Sequence, residues 1–151
     1  MWKIRLEQQK SGGNEVLIRY REMNEEVHEL LDFLEGRPVK LLGRDDRGKC
    51  ILQTEQLYYF ECVDEHVFAY TREGCYQVDK TLQELEEELP GRRFFRCSKS
   101  LIVNMDKIRH LESMMGSRID VLLDNGEHIV ISRHYAGHFR ELLKGGFYGE
   151  I

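Results

Sequence analysis

The stretch Phe94-Phe95-Arg96-Cys97-Ser98-Lys99-Ser100-Leu101-Ile102-Val103-Asn104 decides how the rest of this sequence is read. Two aromatics anchor its start, Arg96, Ser98 and Lys99 follow, and Leu101-Ile102-Val103 buries the exit. Apolar residues at both ends tie such a segment into a core and stiffen what lies between them. The pattern is a rigid piece of backbone presenting Arg96, Ser98 and Lys99 at a surface. Asn104, at the end of the apolar run, has the reading of a structural residue that stabilises the following turn.

Composition sets the frame around that stretch. A chain of 151 residues, 41% hydrophobic, supports one well-buried core and is too short for two ordinary domains. No apolar run approaches the roughly 18–20 residues of a membrane helix, and charged residues alternate with apolar ones at the amino terminus, so a soluble, cytoplasmic protein is expected. Cys50, Cys62, Cys75 and Cys97 contain no C-x-x-C pair and read as reduced strand or core thiols; neither a metal nor a cofactor is expected. The net charge of −5 is unevenly spread: Asp46 to Gly91 holds four basic and eleven acidic residues, Arg92 to Lys144 ten basic and six acidic. A phosphate-bearing partner responds to that local field more than to the total.

Working outward, Met1 to Glu7 and Glu15 to Tyr20 alternate polar and apolar residues around the Ser11-Gly12-Gly13-Asn14 turn and predict a hairpin. Asn24 caps a predicted helix with a Val27, Leu30, Leu31, Leu34 stripe, ended by Gly36 and Pro38. Val39 to Leu42 is a short strand candidate, and Arg44 to Gly48 a polar turn at a weak boundary. From Lys49 on, Cys50–Gln53, Leu57–Cys62, Val67–Thr71 and Cys75–Val78 read as strands, with a turn at Arg72-Glu73-Gly74. Thr81 and Glu84 form a capping box for a helix carrying Leu82, Leu85 and Leu89, stopped by Pro90-Gly91; Glu86, Glu87 and Glu88 make a solvated face. Lys107–Glu112, Arg118–Leu123 and His128–Ile131 are further strands, the last two joined at Asn125-Gly126, where a turn with positive φ at both positions is expected. Ser132 caps a final helix with Tyr135, Phe139 and Leu142 on one stripe, closed by Gly145-Gly146. The fold class is mainly β, α+β overall, in short antiparallel sheets with two or three short helices.

The Phe94 to Asn104 run, followed by Ile108, Asn125-Gly126 and Ile131-Ser132-Arg133, and preceded by Leu57 to Glu61, His66 and the Leu82–Leu89 helix, resembles the LytTR DNA-binding domain of bacterial transcription regulators. The similarity covers about Lys49 to Lys144. It implies an elongated arrangement of antiparallel sheets that inserts loops, with no recognition helix, into successive major grooves of promoter DNA. It places the contacts at His66, at Arg96, Ser98 and Lys99, and at Ser132, Arg133 and His134. Where the family usually carries His-Arg before the Ser of its central motif, this chain has Ser98-Lys99. A lysine is a point charge without the planar fork that reads guanine bidentately. Family members often carry a receiver domain ahead of this part, and residues 1–48 are too short for one. The expected organisation is a strand-hairpin-helix element over 1–48, used for homodimerisation, and the DNA-binding domain over 49–151.

Other readings stay open at this stage. His66 follows Asp64 and Glu65 and also reads as a surface histidine in an acidic turn. Arg96 also reads as a structural partner of a neighbouring carboxylate, and His134 as the mere start of a helix. A non-catalytic protein-interaction or ligand-sensing module on the same scaffold is the alternative function, favoured by the net negative charge. Catalysis is not expected: the six histidines show no H-E-x-x-H spacing, and neither a G-x-S-x-G elbow nor a Gly-rich phosphate loop is present.

Overall fold

Phe94 and Phe95 lie side by side on one strand and point to opposite faces, and the architecture follows from what each face meets. In this computed structural model, residues 2–35, 40–89 and 93–146 are described. The elements are α1 (Glu25–Glu35), β1 (Lys40–Asp45), β2 (Gly48–Gln53), β3 (Leu57–Val63), β4 (His66–Thr71), β5 (Cys75–Val78), α2 (Leu82–Glu88), β6 (Phe94–Arg96), β7 (Leu101–Asn104), β8 (Ile108–Ser113), β9 (Ile119–Leu123), β10 (His128–Ile131) and α3 (Arg133–Gly146). Among the described residues the strands form two antiparallel sheets, one of seven in the order β2-β1-β5-β4-β3-β7-β6 and one of three in the order β10-β9-β8. The expected class, mainly β with short antiparallel sheets and two or three short helices, is what the chain adopts, with three α-helices among the described residues.

One core lies between the large sheet and α2, where Phe94 and Ile102 join Leu57, Phe60, Leu82 and Leu85. The other lies between the opposite face and the small sheet with α3, where Phe95 and Val103 join Val121, Ile131 and Phe139. Phe94 packs on Phe60 at a centroid distance of 5.8 Å and Phe95 edge-on to Phe139 at 5.4 Å. Burying each such ring contributes about 1.5–3 kcal/mol. The short β6–β7 hairpin, registered Phe94↔Asn104, Phe95↔Val103 and Arg96↔Ile102, therefore belongs to both cores. None of the described helices is long and apolar enough to cross a membrane.

Local chemistry explains the boundaries. Asn24 Oδ1 accepts from the Val27 N–H at 3.0 Å, with Glu25 and Glu26 in the first turn of α1. Thr81 and Glu84 close the capping box of α2 in both directions, and those bonds to Thr81 hold the Glu84 carboxyl below its usual range. The stops expected at Gly36-Pro38 and Pro90-Gly91 lie outside the described residues. Gly145 and Gly146 are still within α3.

Three expectations are corrected. Residues 2–24 form no strand, so the amino-terminal hairpin is absent and α1 follows an arm without strands. Ile4, Leu6, Val16 and Leu17 are all at least 70% exposed, and a lone two-stranded hairpin with nothing beneath it buries too little to hold. At Asn125-Gly126 only Gly126 has positive φ (91°): its N–H donates to Leu123 C=O, and the Glu127 N–H donates to Asn125 Oδ1. That is a type I turn followed by a glycine bulge. The turn with two positive φ values is Asp64-Glu65 (50° and 67°), between β3 and β4, which makes His66 a strand residue where a loop residue was expected. The boundary expected around Gly48 falls on the β1–β2 turn, and β1 is hydrogen-bonded to both β2 and β5.

Asn104, fully buried, donates from Nδ2 to Leu57 C=O at 2.7 Å and accepts from the Asp106 N–H at 3.0 Å, tying β7 to β3 and starting the single turn Met105–Lys107. Asn104→Leu leaves a buried carbonyl and an amide without partners. It is expected to cost about 2–4 kcal/mol, roughly 1–3 for the unsatisfied carbonyl plus the lost cap, measured as the drop in unfolding free energy from urea titration.

Candidate nucleic-acid interface

The connection from Cys97 to Ser100 is held by its carbonyl groups. Cys97 C=O accepts from the Ser132 N–H at 2.8 Å, and Ser100 C=O from the Cys62 N–H at 2.8 Å. Ser98 C=O and Lys99 C=O accept from Arg96, from Nε and Nη2, each at 2.7 Å. Leu101 C=O receives the Cys97 and Ser98 N–H groups at 3.0 and 3.4 Å, and Ser98 Oγ receives the Ser100 N–H at 3.2 Å. Five consecutive carbonyl oxygens are thus turned into the protein. What the loop leaves outward is the exposed Lys99 side chain and the Lys99 N–H, neither with a partner among the described residues.

Arg96 is the loop's clamp. Its remaining nitrogen, Nη1, lies 3.5 Å from Glu86 Oε1, and its side chain is only 17% exposed. The structural reading of Arg96 describes its geometry: the guanidinium is already occupied on three sides. Glu86, expected on a solvated face, is its counter-charge, and Glu88 pairs with Lys80 at 2.6 Å.

The Ser132 N–H bond also fixes where α3 begins, because Ser132 C=O accepts from the Tyr135 and Ala136 N–H groups at 3.0 Å each. Phe95 anchors the helix by ring contacts with His138 and Phe139 at 5.5 and 5.4 Å. Arg133, exposed and without a side-chain partner among the described residues, sits in a first turn that holds no acid. A cation there opposes the helix dipole by about 0.3–1 kcal/mol and leaves an electropositive corner. The His134 ring packs edge-on to Tyr135 at 4.9 Å. Consecutive Cα atoms lie 3.8 Å apart, so the Cys97–Ser132 bond keeps the Cα atoms of Lys99 and Arg133 within about 18 Å of each other.

His66, exposed at the start of β4, has its Nδ1 3.0 Å from Gln77 Nε2, a contact that orients the ring. His66, Arg96 and Lys99 line one shallow groove of about 550 Å³, together with Lys80, Glu65 and Glu84. The Cys97–Ser132 bond thus ties the segment of Ser98 and Lys99 to that of Ser132 and Arg133, and His66 lines a groove that Lys99 shares, with acids on its rim. Sequence reasoning missed Cys62 and Glu86, which touch the loop through a backbone amide and through Arg96. Neither contact leaves a motif.

An antiparallel sandwich whose unpaired cations sit on a hairpin loop and on the first turn of a terminal helix defines the class as a loop-presenting β-sandwich. The chain belongs to the LytTr DNA-binding domain family, whose profile matches residues 48–144. It is 27% identical over 129 residues to the sensory transduction protein LytT of Bacillus subtilis, covering 85% of this chain and 54% of LytT. It is 33% identical over 103 residues to the transcriptional regulatory protein YpdB of Escherichia coli K12, covering 68% and 42%. A solved LytTr DNA-binding domain from Bacillus cereus, of a chain described as a methyl-accepting/DNA response regulator, matches with a TM-score of 0.67 at 30% identity, covering 72% of this chain and 97% of that one. The chain spans about half the length, or less, of the curated relatives it matches.

Beneath the loop, burial pushes the fully buried Cys97 thiol from 9.0 up to about 12, against the smaller pull of a backbone hydrogen bond and Arg96. Burial likewise pushes the Tyr70 hydroxyl from 10.0 up to about 12. Both groups are neutral when folded and ionise more readily when unfolded. Their contribution is whole below pH 9.0 and disappears as pH rises toward 12. The urea midpoint is expected to fall over that interval, and Cys97 to react with a thiol reagent only after unfolding.

Proposed function

We propose that this protein binds double-stranded promoter DNA as a cytoplasmic bacterial transcription regulator, inserting loops into the major groove. The observation that carries the reading is the inward turn of every carbonyl from Cys97 to Leu101, which removes partial negative charge from a surface carrying Lys99 and, one hydrogen bond away, Arg133. Such a surface suits phosphate. The Lys99 ammonium and N–H and the Arg133 guanidinium anchor the backbone, while Ser98, Ser132, His134 and the His66 ring face the duplex. The acidic stretch from Asp46 to Gly91 repels DNA and helps set orientation. Arg96 acts through the loop it clamps and not by touching a base. The family to which the chain belongs, and regulators similar to it from Bacillus subtilis and Escherichia coli, support the reading.

Residues 1–48 are proposed as the dimerisation element, because their small apolar stripe forms no core of its own among the described residues. Two joined copies gain avidity on adjacent half-sites.

Mobility-shift titration on promoter fragments at several salt concentrations tests the DNA reading. Wild-type affinity is expected to fall with salt at about −0.9 per phosphate contacted. Lys99→Ala and Arg133→Ala are each expected to lower affinity about tenfold and to flatten the slope by about one. Arg96→Ala is expected to weaken binding while speeding amide exchange at Ser100, the signature of a loosened loop. A salt-insensitive shift, or one unchanged in the Lys99→Ala, Arg133→Ala double variant, returns the chain to a protein-interaction or ligand-sensing role.

A further inference from the structure

The single chain leaves two surfaces open that fit one another. β2 is an edge of the large sheet, paired with β1 alone among the described strands. The register Asp45↔Gly48 across a two-residue connection makes that pair mutually hydrogen-bonded. Alternation along an antiparallel ladder then turns the N–H and C=O groups of Lys49, Ile51 and Gln53 away from β1, into the open. Ile51 is 68% exposed and its cross-strand partner Leu42 is 57% exposed. The other edges are protected: β6 has three residues, β10 four, and β8 carries Arg109, His110 and Glu112. β2, six residues long with neither proline nor bulge, carries a single charge, Lys49, at its turn end, and leaves Ile51 and Gln53 unguarded.

The second surface is the segment 15–20 of the amino-terminal arm. It keeps the alternation of a strand, Val16, Ile18 and Tyr20 against Leu17 and Arg19, yet pairs with no strand among the described residues. Val16 and Leu17 are 70% and 75% exposed.

We propose that residues 15–20 of one copy add to β2 of a second copy as an antiparallel strand, and that the exchange is reciprocal, closing a two-fold dimer. The proposal rests on the dimerisation reading above and names its surface. With Ile18 opposite Ile51, Val16, Ile18 and Tyr20 line up beside Gln53, Ile51 and Lys49 on the face that exposes Leu42, and Leu17 falls beside the buried Leu52. In the same register Arg21 ends opposite Gly48, beside the Arg44-Asp45-Asp46-Arg47 turn, whose two acids and two bases balance. A slip of one residue exchanges the two faces and loses the match.

Light scattering on the full chain, with circular dichroism as a control for folding, tests the surface. The wild type is expected at twice the chain mass, and Ile51→Pro, which removes an N–H that β1 does not use, at the mass of one chain. Ile51→Lys serves if the proline variant fails to fold, and Ile18→Lys, on the arm, is expected to halve the mass as well. After oxidation, Ile18→Cys combined with Ile51→Cys is expected to run as a covalent dimer on a non-reducing gel. Dimers that persist in Ile51→Lys and Ile18→Lys overturn the surface but leave dimerisation standing, and an intrachain crosslink overturns the exchange. A monomeric wild type overturns both the surface and the dimer, without bearing on the DNA shift.

Discussion

The row of carbonyl oxygens from Cys97 to Leu101 is the constraint on which this protein depends. A backbone oxygen left outward would repel phosphate, and one left buried and unpaired would cost about 1–3 kcal/mol. The fold meets both demands with donors from three places: the Ser132 and Cys62 amides, the Arg96 guanidinium, and the loop's own N–H groups. Those donors come from β3, from β6 and from the residue before α3, so the loop holds its shape only when the elements around it are assembled. Glu86 on α2 adds the counter-charge that keeps Arg96 in place.

Packing serves the same end. β6 and β7 are three and four residues long and have little pairing of their own, yet Phe94 and Ile102 enter one core while Phe95 and Val103 enter the other. A hairpin gripped from both sides has little freedom to tilt. The buried Asn104 fixes its far end by holding Leu57 C=O, which transmits the position of β3 to the loop. A loop whose backbone is already fixed has less conformational freedom left to lose when it docks against any partner.

Much of the fold was readable residue by residue, because alternation and caps act locally. Thr81 and Glu84 announce α2, and the Val, Ile, Tyr and Phe runs between Cys50 and Val78 announce four strands. Alternation failed in the arm, where the pattern is present but no third layer receives Ile4 or Leu6. It failed again at the turns: Asn125-Gly126 needed one positive φ, whereas Asp64 and Glu65 adopt two without a glycine, forced by the pairing of Val63 with His66. At the site, Lys99 and Arg133 stood out by residue type. The pairing of Arg96 with a carboxylate was legible as one of two readings, but its grip on the loop was not, because a side chain that binds carbonyl groups leaves no mark on the identity of its partners.

Cys97 and Ser132 are joined by a single hydrogen bond, but the whole of β8, β9 and β10 lies between them in the chain. A ribosome that has released the Lys99 loop has yet to make the segment that squares it. The cations exist early, while their spacing is set only once the small sheet has folded back. Premature fragments of this protein therefore carry charge without a ruler, which arrives only with the residue before the last helix.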